Sequence, residues 1–439
     1  MPRVLVLATT TGYQTRAFGD AAERLGVDLV FGTDRCNMLE DPWRDEALPI
    51  RFYDETESVA TIVNASKKKR IDGVIAVGDR PTAVAAGVME ALGLPGHPPD
   101  ATIAARNKQV TRERLRGAGL NVPAFVEGSA AGDPAAFRSV VDFPAVVKPL
   151  ALSGSRGVIR VDDEAGLVAA LDRLRSLLAT PDVRAERDAA HDLVLVEEFI
   201  EGREFAVEGL MNRGTLDVLA IFDKPDPLDG PFFEETIYLT PSIADEGTQQ
   251  AIADAVSKAI VALGLHHGPI HAECRVNARG VFVLEVAARP IGGLCAKALR
   301  FVRRQAQPSA AGADGAPETL GEISFEELLL RHAIGEPSTG WRRERVASGV
   351  MMIPIPMRGV FRGVSGIEDA RGVPGVEDVR ITAKIDQMLI PLPEGASYLG
   401  FIFSRAVVAS DVERALRAAH ARLTFTIAPE LRVLQSTHG

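Results

Sequence analysis

Residues 268–297 read GPIHAECRVNARGVFVLEVAARPIGGLCAK, a pattern that predicts a two-stranded β-hairpin. Ile270–Val276 and Val281–Ala287 are rich in β-branched and apolar residues, and the turn Asn277–Gly280 between them contains residues that tolerate a positive φ angle. Side chains alternate between the two faces of a strand. We therefore expect Glu273 and Glu285 to lie next to each other on one face of the hairpin.

Two carboxylates on adjacent strands, followed by Arg289 and two glycines, form a set with a chemical use. Mg²⁺ binds a few carboxylate oxygens and keeps its other positions for water and phosphate. A guanidinium beside them would hold a phosphoryl group or a carboxylate through two hydrogen bonds. A surface hairpin with solvated charges is the alternative, but the apolar run Val281–Leu284 favours a buried segment.

Composition narrows the class of protein. The 439 residues suffice for two or three domains, and with 46% apolar but only 5% aromatic residues the cores must be aliphatic. A formal net charge of −10 argues against a nucleic-acid partner. Three scattered cysteines fit a reducing compartment, and no apolar run approaches the roughly 20 residues that span a bilayer. We expect a cytoplasmic protein that binds neither nucleic acid nor membrane.

Residues 1 to about 100 alternate strand and helix patterns, which predicts a parallel sheet covered by helices on both faces. Ligands bind at the carboxyl ends of the strands in such sheets. Thr9–Gly12 and Gly78–Arg80 each follow a predicted strand and are therefore candidate site loops. No GxGxxG motif is present, so a dinucleotide site is not supported.

A lysine and a loop of small residues follow another predicted strand. Phe143–Pro149 is a buried-strand pattern with Lys148 near its end, and residues 150–158 read LALSGSRGV. Small residues let backbone N–H groups approach phosphate oxygens, and the lysine adds a positive charge. The GxxxxGK[ST] pattern of a P-loop is missing. The stretch nevertheless favours a phosphate-binding loop.

Residues 193–205 read LVLVEEFIEGREF and predict a strand that leads into an acidic turn. The edge of such a strand can offer backbone N–H and C=O groups to a purine while Phe199 and Ile200 cover its face, and a later acid can accept from ribose hydroxyls. An exposed acidic turn is the alternative for these residues alone. A predicted loop at 223–242 follows and carries Glu235 and Tyr238.

The remaining stretches complete a three-domain prediction. Asp100–Gly119 predicts a helical connector that contains Lys108, which by position alone would be one more solvated lysine. Gln305–Gly321 is rich in Ala, Gly, Pro and Ser and predicts a mobile surface insertion. Residues 341–439 predict a small domain without a chemical cluster of its own.

Taken in order, four of these features resemble the ATP-grasp superfamily of carboxylate–amine ligases, over about residues 103–304. They are Lys108, Lys148 with the SGSRG loop, the VEEFIEGREF segment and the Glu273/Glu285 hairpin. Within the superfamily the sequence looks most like L-amino-acid (dipeptide) ligases of the bacilysin-synthetase type. The points of similarity are HAE at 271–273, ExAAR at 285–289 and the FFEE…TPS loop.

The resemblance implies an α/β protein with an ATP-grasp fold. The N-terminal parallel-sheet α/β domain would span residues 1–100 and the small C-terminal α+β domain residues 341–439. The central ATP-grasp domain, α+β and two-lobed, would span residues 101–340, with a lid lobe at about 120–200.

The resemblance also implies roles for single residues. ATP would be bound by Lys108, Lys148, Gly154, Ser155, Glu197, Glu198, Phe199, Ile200 and Glu204. Mg²⁺, or Mn²⁺ in its place, would be held by Glu273 and Glu285. The substrates would be bound by Leu152, Glu235, Tyr238, His271, Arg289 and Gly292. Arg289 and Lys148 would act in catalysis.

One position departs from the common ATP-grasp pattern. Many members have Asn two residues after the second metal carboxylate, whereas this chain has Ala287, as the dipeptide-ligase look-alikes do. The change removes one oxygen ligand, so water or phosphate must complete the shell of the metal.

In the implied reaction, the carboxylate of an amino acid is activated by ATP as an acyl phosphate. It is then joined to an amine, and ADP and phosphate are released. Two alternatives stay open: a bicarbonate-activating enzyme similar to biotin carboxylase, and a non-catalytic ATP-binding regulator. Partners would be small molecules, and dimers are frequent among the look-alikes.

Overall fold

A computed structural model of the chain describes residues 1–9, 13–34, 47–304 and 321–429. The N-terminal unit contains the predicted parallel sheet, which has four strands in the order β3-β2-β1-β4. Its elements are Arg3–Ala8 (β1), Tyr13–Leu25 (α1), Asp28–Thr33 (β2), Leu48–Pro49 (β3), Glu55–Ser66 (α2), Gly73–Val77 (β4) and Pro81–Leu92 (α3). Helices on both faces cover β1, whose residues 4–7 are fully buried.

Two helices, Pro99–Arg106 (α4) and Lys108–Gly117 (α5), connect this unit to the rest. The prediction of one helical connector is wrong at Asn107, whose backbone is extended with φ −93° and ψ 110°. Its side chain accepts a hydrogen bond from the Val110 N–H at 3.0 Å and so caps the second helix. The break makes Lys108 the first residue of α5.

A four-stranded antiparallel sheet in the order β5-β8-β6-β7 forms the lid region. Its elements are Phe125–Ser129 (β5), Pro134–Arg138 (α6), Ala145–Pro149 (β6), Ile159–Val161 (β7), Glu164–Leu178 (α7), Pro181–Arg184 (α8), a 3₁₀ turn Ala189–Asp192 and Leu193–Glu198 (β8). The helix α7 buries a leucine face at i, i+4, i+7 and i+11. Residues 180–190 contain α8 and the start of the 3₁₀ turn.

An eight-stranded sheet in the order β13-β12-β9-β10-β11-β17-β21-β19 runs through the centre of the molecule. Its central elements are Arg203–Asn212 (β9), Thr215–Asp223 (β10), Ile237–Thr240 (β11), Glu246–Leu263 (α9), Gly268–Asn277 (β12) and Gly280–Ala287 (β13). The loop predicted for 223–242 is wrong in its last part, because the run IYLT at 237–240 forms a buried strand. Residues with high strand propensity explain the difference.

The chain continues from the hairpin through a small three-stranded sheet in the order β15-β14-β16. This part contains a 3₁₀ turn Cys295–Ala298, Arg300–Arg303 (β14), Ile323–Ser324 (β15), Phe325–Ala333 (α10), a second 3₁₀ turn Ser338–Gly340 and Trp341–Arg343 (β16). Nearly all of the predicted insertion, residues 305–320, lies outside the described part of the chain.

The C-terminal unit adds strands to the central sheet. Its elements are Ala347–Ile353 (β17), Gly359–Ser365 (β18), Ile367–Arg371 (α11), Val376–Ile381 (β19), Met388–Leu389 (β20), Gly400–Ala406 (β21), Ala409–His420 (α12) and Thr424–Ala428 (β22). Three of these strands extend the eight-stranded sheet, which therefore crosses the domain limit that we predict near residue 341. The others form the sheet β20-β18-β22.

The hairpin forms as the sequence predicts. In its register Glu273 faces Glu285 and His271 faces Ala287, with a bulge directly after Glu273. The strand that carries Glu273 is also paired on its other side with β9, so it lies inside the sheet. Among the helices of the described residues, none combines the length and apolarity needed to cross a membrane.

Candidate active site

A cavity of about 1140 Å³ lies between the lid region, the central sheet and the two flanking units. Its wall includes two lysines, Lys108 and Lys148, and two acids, Glu273 and Glu285. The other residues proposed from sequence also line it: Leu152, Gly154, Ser155, Glu197, Glu198, Phe199, Ile200, Glu204, Glu235, Tyr238, His271, Arg289 and Gly292. The structure thus brings all the candidate residues to one place, while their individual roles stay predictions.

Lys148 stands at the end of β6 and is held by a buried acid. Its ammonium contacts the carboxylate of Glu197, which also accepts two hydrogen bonds from Arg112, at 2.9 and 3.2 Å. Burial alone would raise the pKa of Glu197, but Arg112 and Lys148 outweigh it and lower the pKa to about 2. Burial lowers the pKa of Lys148 to about 8 against the pull of Glu197. The side chain of Glu197 therefore orients a cation.

Lys108 reaches the loop that follows β6. Its Nζ donates to the Leu152 carbonyl at 2.6 Å, and burial lowers its pKa. In the loop, Gly157 adopts φ +76°, and an added Cβ would meet Pro149 at 2.7 Å, so a larger residue would strain this turn. The Gly157 N–H donates to the Pro393 carbonyl at 2.7 Å. The loop thus connects a lysine of the site to the C-terminal unit.

The segment after β8 provides an apolar slot. Phe199 and Ile200 line the cavity, and the ring of Phe199 lies 6.2 Å from that of Phe233. The prediction of a free strand edge here is wrong, because β8 is paired on both sides and the N–H groups of Glu198 and Phe199 donate to Ala124 and Pro144. Because the two phenyl rings pack against each other, a planar ring could lie beside these apolar side chains but not between them.

Glu273 lies within a network of charged side chains. Its Oε1 accepts from Lys224 at 3.0 Å and lies 3.4 Å from both the Tyr238 hydroxyl and the Nε2 of His271. Burial would raise the pKa of Glu273, but Lys224 and His271 hold it well below the usual value. Glu273 is therefore ionised and suited to bind a cation.

His271 is charged for a similar reason. Its Nδ1 donates to the buried carboxylate of Glu208, which also accepts from the Ile291 N–H at 3.1 Å. Burial would lower the pKa of His271, but Glu208 raises it to about 9. Sequence reasoning did not single out Glu208, although it faces inward from the strand next to the hairpin.

Arg289 is bound by an acid of the N-terminal unit. Its Nε and Nη2 donate to the two carboxylate oxygens of Asp79 at 2.9 and 3.1 Å, and its Nη1 donates to the Pro290 carbonyl. Asp79 belongs to the predicted site loop Gly78–Arg80. Burial would lower the pKa of Arg289, but Asp79 raises it above the ordinary value.

Two further findings go beyond the sequence analysis. Lys224 is buried under the cavity wall and contacts Glu204, Glu235 and Glu273. The C-terminal unit, in which the sequence shows no chemical cluster of its own, also contributes to the cavity wall, with residues that include Thr382, Lys384, Gln387, Ser397, Tyr398 and Phe401. Lys224 comes directly after the strand β10, a local signal similar to the one that identified Lys148.

The donor set fits a hard divalent cation. Glu273 and Glu285 face each other across the hairpin and both line the cavity, and carboxylate oxygens are the ligands that Mg²⁺ prefers. Lys224 donates to the Oε1 of Glu273, which leaves the Oε2 of Glu273 for a metal ion. A set of carboxylate oxygens, as opposed to sulfur or imidazole ligands, is typical of a site for Mg²⁺ or Mn²⁺.

Three family models match successive parts of the chain. They are an ATP-grasp N-terminal domain at residues 19–96, an ATP-grasp domain at 141–298 and an L-amino acid ligase C-terminal domain 2 at 351–428. The second of these covers the lid region from residue 141 onward and the hairpin. The third falls on the unit whose strands extend the central sheet.

Individual proteins are also similar to this chain. An L-amino acid ligase from Bacillus licheniformis has a similar structure, with a TM-score of 0.76 and 27% identity over 97% of this chain and 99% of that one. An uncharacterized protein, y4rH, of Sinorhizobium fredii is 24% identical over 98% of this chain and 84% of its own length. The alanine–anticapsin ligase of Bacillus subtilis is 28% identical, and that match spans 54% of this chain and 52% of the ligase.

Proposed function

We propose that this chain, which belongs to the ATP-grasp superfamily of ligases, joins the carboxylate of an amino acid to an amine and releases ADP and phosphate. One observation carries the proposal: Lys108, Lys148, Glu273 and Glu285 line a single cavity together with Arg289. The similarity to an L-amino acid ligase along nearly the whole chain supports an amino-acid substrate.

The cationic side of the cavity would hold the triphosphate. Lys108 and Lys148 supply two ammonium groups, and Ser153, Gly154 and Ser155, which have small side chains, would supply backbone N–H groups. Glu197 would keep the Lys148 ammonium in place, and both residues line the cavity. The base would lie in the slot beside Phe199, Ile200 and Phe233.

The acidic side would hold the metal ion. Mg²⁺ bound by Glu273 and Glu285 would supply charge neutralisation for the phosphate oxygens during phosphoryl transfer. Because Ala287 offers no side-chain oxygen, the remaining positions of its shell would fall to water and phosphate. In this proposal the two cations and the two acids would surround the same triphosphate.

Arg289 would orient the carboxylate that is activated. A carboxylate oxygen attacks the γ-phosphorus of ATP and ADP leaves, which forms an acyl phosphate. The amine then attacks the acyl carbon, and phosphate leaves with the oxygen that bridged carbon and phosphorus. The protein contributes position and charge, which is most of what phosphoryl transfer needs.

Glu235, with His271 and Tyr238 beside it, would hold the amino group of an amino-acid substrate.

The acyl phosphate reacts readily with water, so the site has to exclude water while the acyl phosphate exists. The loop at 153–157 would do this by closing over the phosphates, and its contact with Pro393 fixes one end of it in the structure. Scattered cysteines, two of them buried and free, fit a cytoplasmic enzyme.

A phosphate-release screen tests the proposal. The twenty amino acids are supplied singly and in pairs with Mg·ATP, and products are identified by mass. We expect ADP, phosphate and an amide whose mass is the sum of two substrates minus water, and we expect Glu285→Ala to abolish all three.

The same screen separates the alternatives. Release of ADP that requires bicarbonate and no amino acid would favour the carboxylase-like reaction. Tight ATP binding without ADP in any mixture would favour a regulator. Normal ADP formation by Glu285→Ala in the presence of amino acids would refute the metal assignment.

A further inference from the structure

Lys224 is a lysine that no part of the proposed reaction uses. It follows β10 directly and its side chain is 3% exposed. A buried ammonium is costly unless other groups satisfy it. We therefore expect the buried Lys224 ammonium to have a function beneath the cavity wall.

The ammonium of Lys224 contacts three carboxylates that line the cavity. Its Nζ lies 2.8 Å from Glu204 and 3.0 Å from Glu273, and it also donates to Glu235. An ammonium has three N–H donors, so each carboxylate receives one. The Nζ also lies 5.0 Å from the centre of the Tyr238 ring, whose face attracts a cation.

The three acids converge as the ligands of a cation do. One carboxylate oxygen from each of Glu204, Glu235 and Glu273 lies within 4.8 Å of the other two. Three carboxylates at this spacing repel one another strongly unless a positive charge lies between them. The Lys224 ammonium occupies that central position, while Arg275, which donates to Glu204 at 2.8 Å, and His271, 3.4 Å from Glu273, add positive charge at its edge.

The backbone fixes where this ammonium sits. The Lys224 N–H donates to the Glu204 carbonyl at 3.3 Å, which extends the pairing of the two strands. The preceding Asp223 accepts from the Ser242 hydroxyl at 2.8 Å and from the Ile243 N–H at 2.7 Å. The ammonium is thus tied to the central sheet.

We propose that Lys224 is a positioning residue: its ammonium takes the place of a cation between Glu204, Glu235 and Glu273 and holds the amine-binding carboxylate beside the metal-binding one. The roles of Glu235 and Glu273 in this statement rest on the proposed function. Neither Met nor Arg can replace Lys224, because Met has no charge and the planar fork of Arg cannot direct three donors to three convergent acids.

The test compares Lys224→Met and Lys224→Arg with Lys297→Met. Lys297 is a matched control, a half-buried lysine whose Nζ lies 3.9 Å from Asp378 and which does not line the cavity. Thermal unfolding first establishes that each variant is folded. If Lys224→Met does not fold, Lys224→Gln, which keeps two N–H donors, replaces it.

Two readouts follow. In steady-state kinetics we expect both Lys224 variants to raise the KM for the amine at least about tenfold, as a displaced binding group does, with the KM for the carboxylate substrate changed less than about threefold. Electron paramagnetic resonance of the nucleotide-free protein counts bound Mn²⁺. We expect about one more Mn²⁺ per chain in Lys224→Met than in the wild type or Lys297→Met, because the three carboxylates lose the ammonium that lies between them.

A folded Lys224→Met with a wild-type amine KM and a wild-type Mn²⁺ count would overturn the inference. A uniform fall in kcat with both KM values unchanged would do the same, since a purely structural loss reduces only the active fraction. The Mn²⁺ count does not depend on turnover. If the wild type turns over no substrate pair, the proposed function fails while the placement of the Lys224 ammonium is still tested.

Discussion

Asp79 and Arg289 are 210 residues apart in the chain, yet their side chains form a two-point ion pair at 2.9 and 3.1 Å. Asp79 follows the last strand of the N-terminal sheet, and Arg289 follows the acidic hairpin. The pair therefore joins the N-terminal unit to the central sheet, and both of its residues line the cavity. It also sets the plane of the guanidinium that we expect to bind the substrate carboxylate.

Asp79→Asn should weaken use of the carboxylate substrate. The amide keeps the shape of Asp79 but cannot accept two hydrogen bonds from one guanidinium, so Arg289 loses its fixed orientation. We expect the KM for the carboxylate to rise about tenfold or more, with little change in the KM for the amine. Steady-state kinetics with each substrate varied in turn measures this. A lower carboxylate KM would mean that Asp79 competes with the substrate for Arg289.

ATP use should decline in alkaline solution because of Lys148. Burial lowers the pKa of Lys148 to about 8, so the free enzyme carries the ammonium below that pH and loses it above. We expect kcat/KM for ATP to fall as pH rises through about 8, since this ratio reports groups of the free enzyme. In Lys148→Arg, which stays charged, this limb should disappear. A profile that is flat to pH 9.5 in the wild type would contradict the assignment.

Arg112 should contribute strongly to stability. It is fully buried, and it ties α5 to Glu197 of the lid sheet and to the Leu284 carbonyl of the hairpin. We expect Arg112→Met to lower the free energy of unfolding by about 3 to 5 kcal/mol, because Glu197 is left as a buried acid with one partner. Arg114→Met is the control, since Arg114 donates to the Leu263 carbonyl and its loss should cost about 1 kcal/mol. Equal losses in denaturant titrations would contradict this account.

His97 should make the fold sensitive to acid. Its Nδ1 accepts from the His266 N–H at 3.0 Å and its Nε2 donates to the Pro269 carbonyl at 3.2 Å, so the ring must be neutral. Burial lowers its pKa from 6.5 to about 4. Between pH 4 and pH 6.5 the unfolded chain therefore binds a proton at this histidine more tightly than the folded chain does.

The resulting stability is complete above pH 6.5 and is lost as the pH falls towards 4, by up to about 3 kcal/mol. Unfolding titrations of the wild type and of His97→Gln between pH 7 and 4 measure it. The variant should show a shallower decline. Two parallel curves would refute the role of His97.

Local sequence patterns predicted the hairpin and some of the residues that line the cavity. Alternation along two strands and a short turn are enough to place Glu273 opposite Glu285. Lys148 and the glycine-containing loop carry a local signal as well, because they follow an apolar strand. These patterns depend on residues close in sequence, which is why they could be recognised without a structure.

The ion pairs could not be predicted in this way. The pairing of Arg289 with Asp79, and of Glu197 with Arg112, joins residues that are distant in the chain and depends on how the units assemble. The role of Glu197 in binding the base stays a prediction, but the pairing of its carboxylate with Lys148 could not be read from the sequence. The strand edge predicted beside it does not exist, because pairing on both sides of β8 is a property of the folded sheet.

The fate of one oxygen atom tests the central claim most directly. The amino acid that supplies the carboxylate is labelled with ¹⁸O in that group, and the released phosphate is analysed by mass spectrometry after amide formation. If the carboxylate attacks the γ-phosphorus in this cavity, the phosphate carries one ¹⁸O atom from the amino acid. Amide formation with unlabelled phosphate would contradict the account.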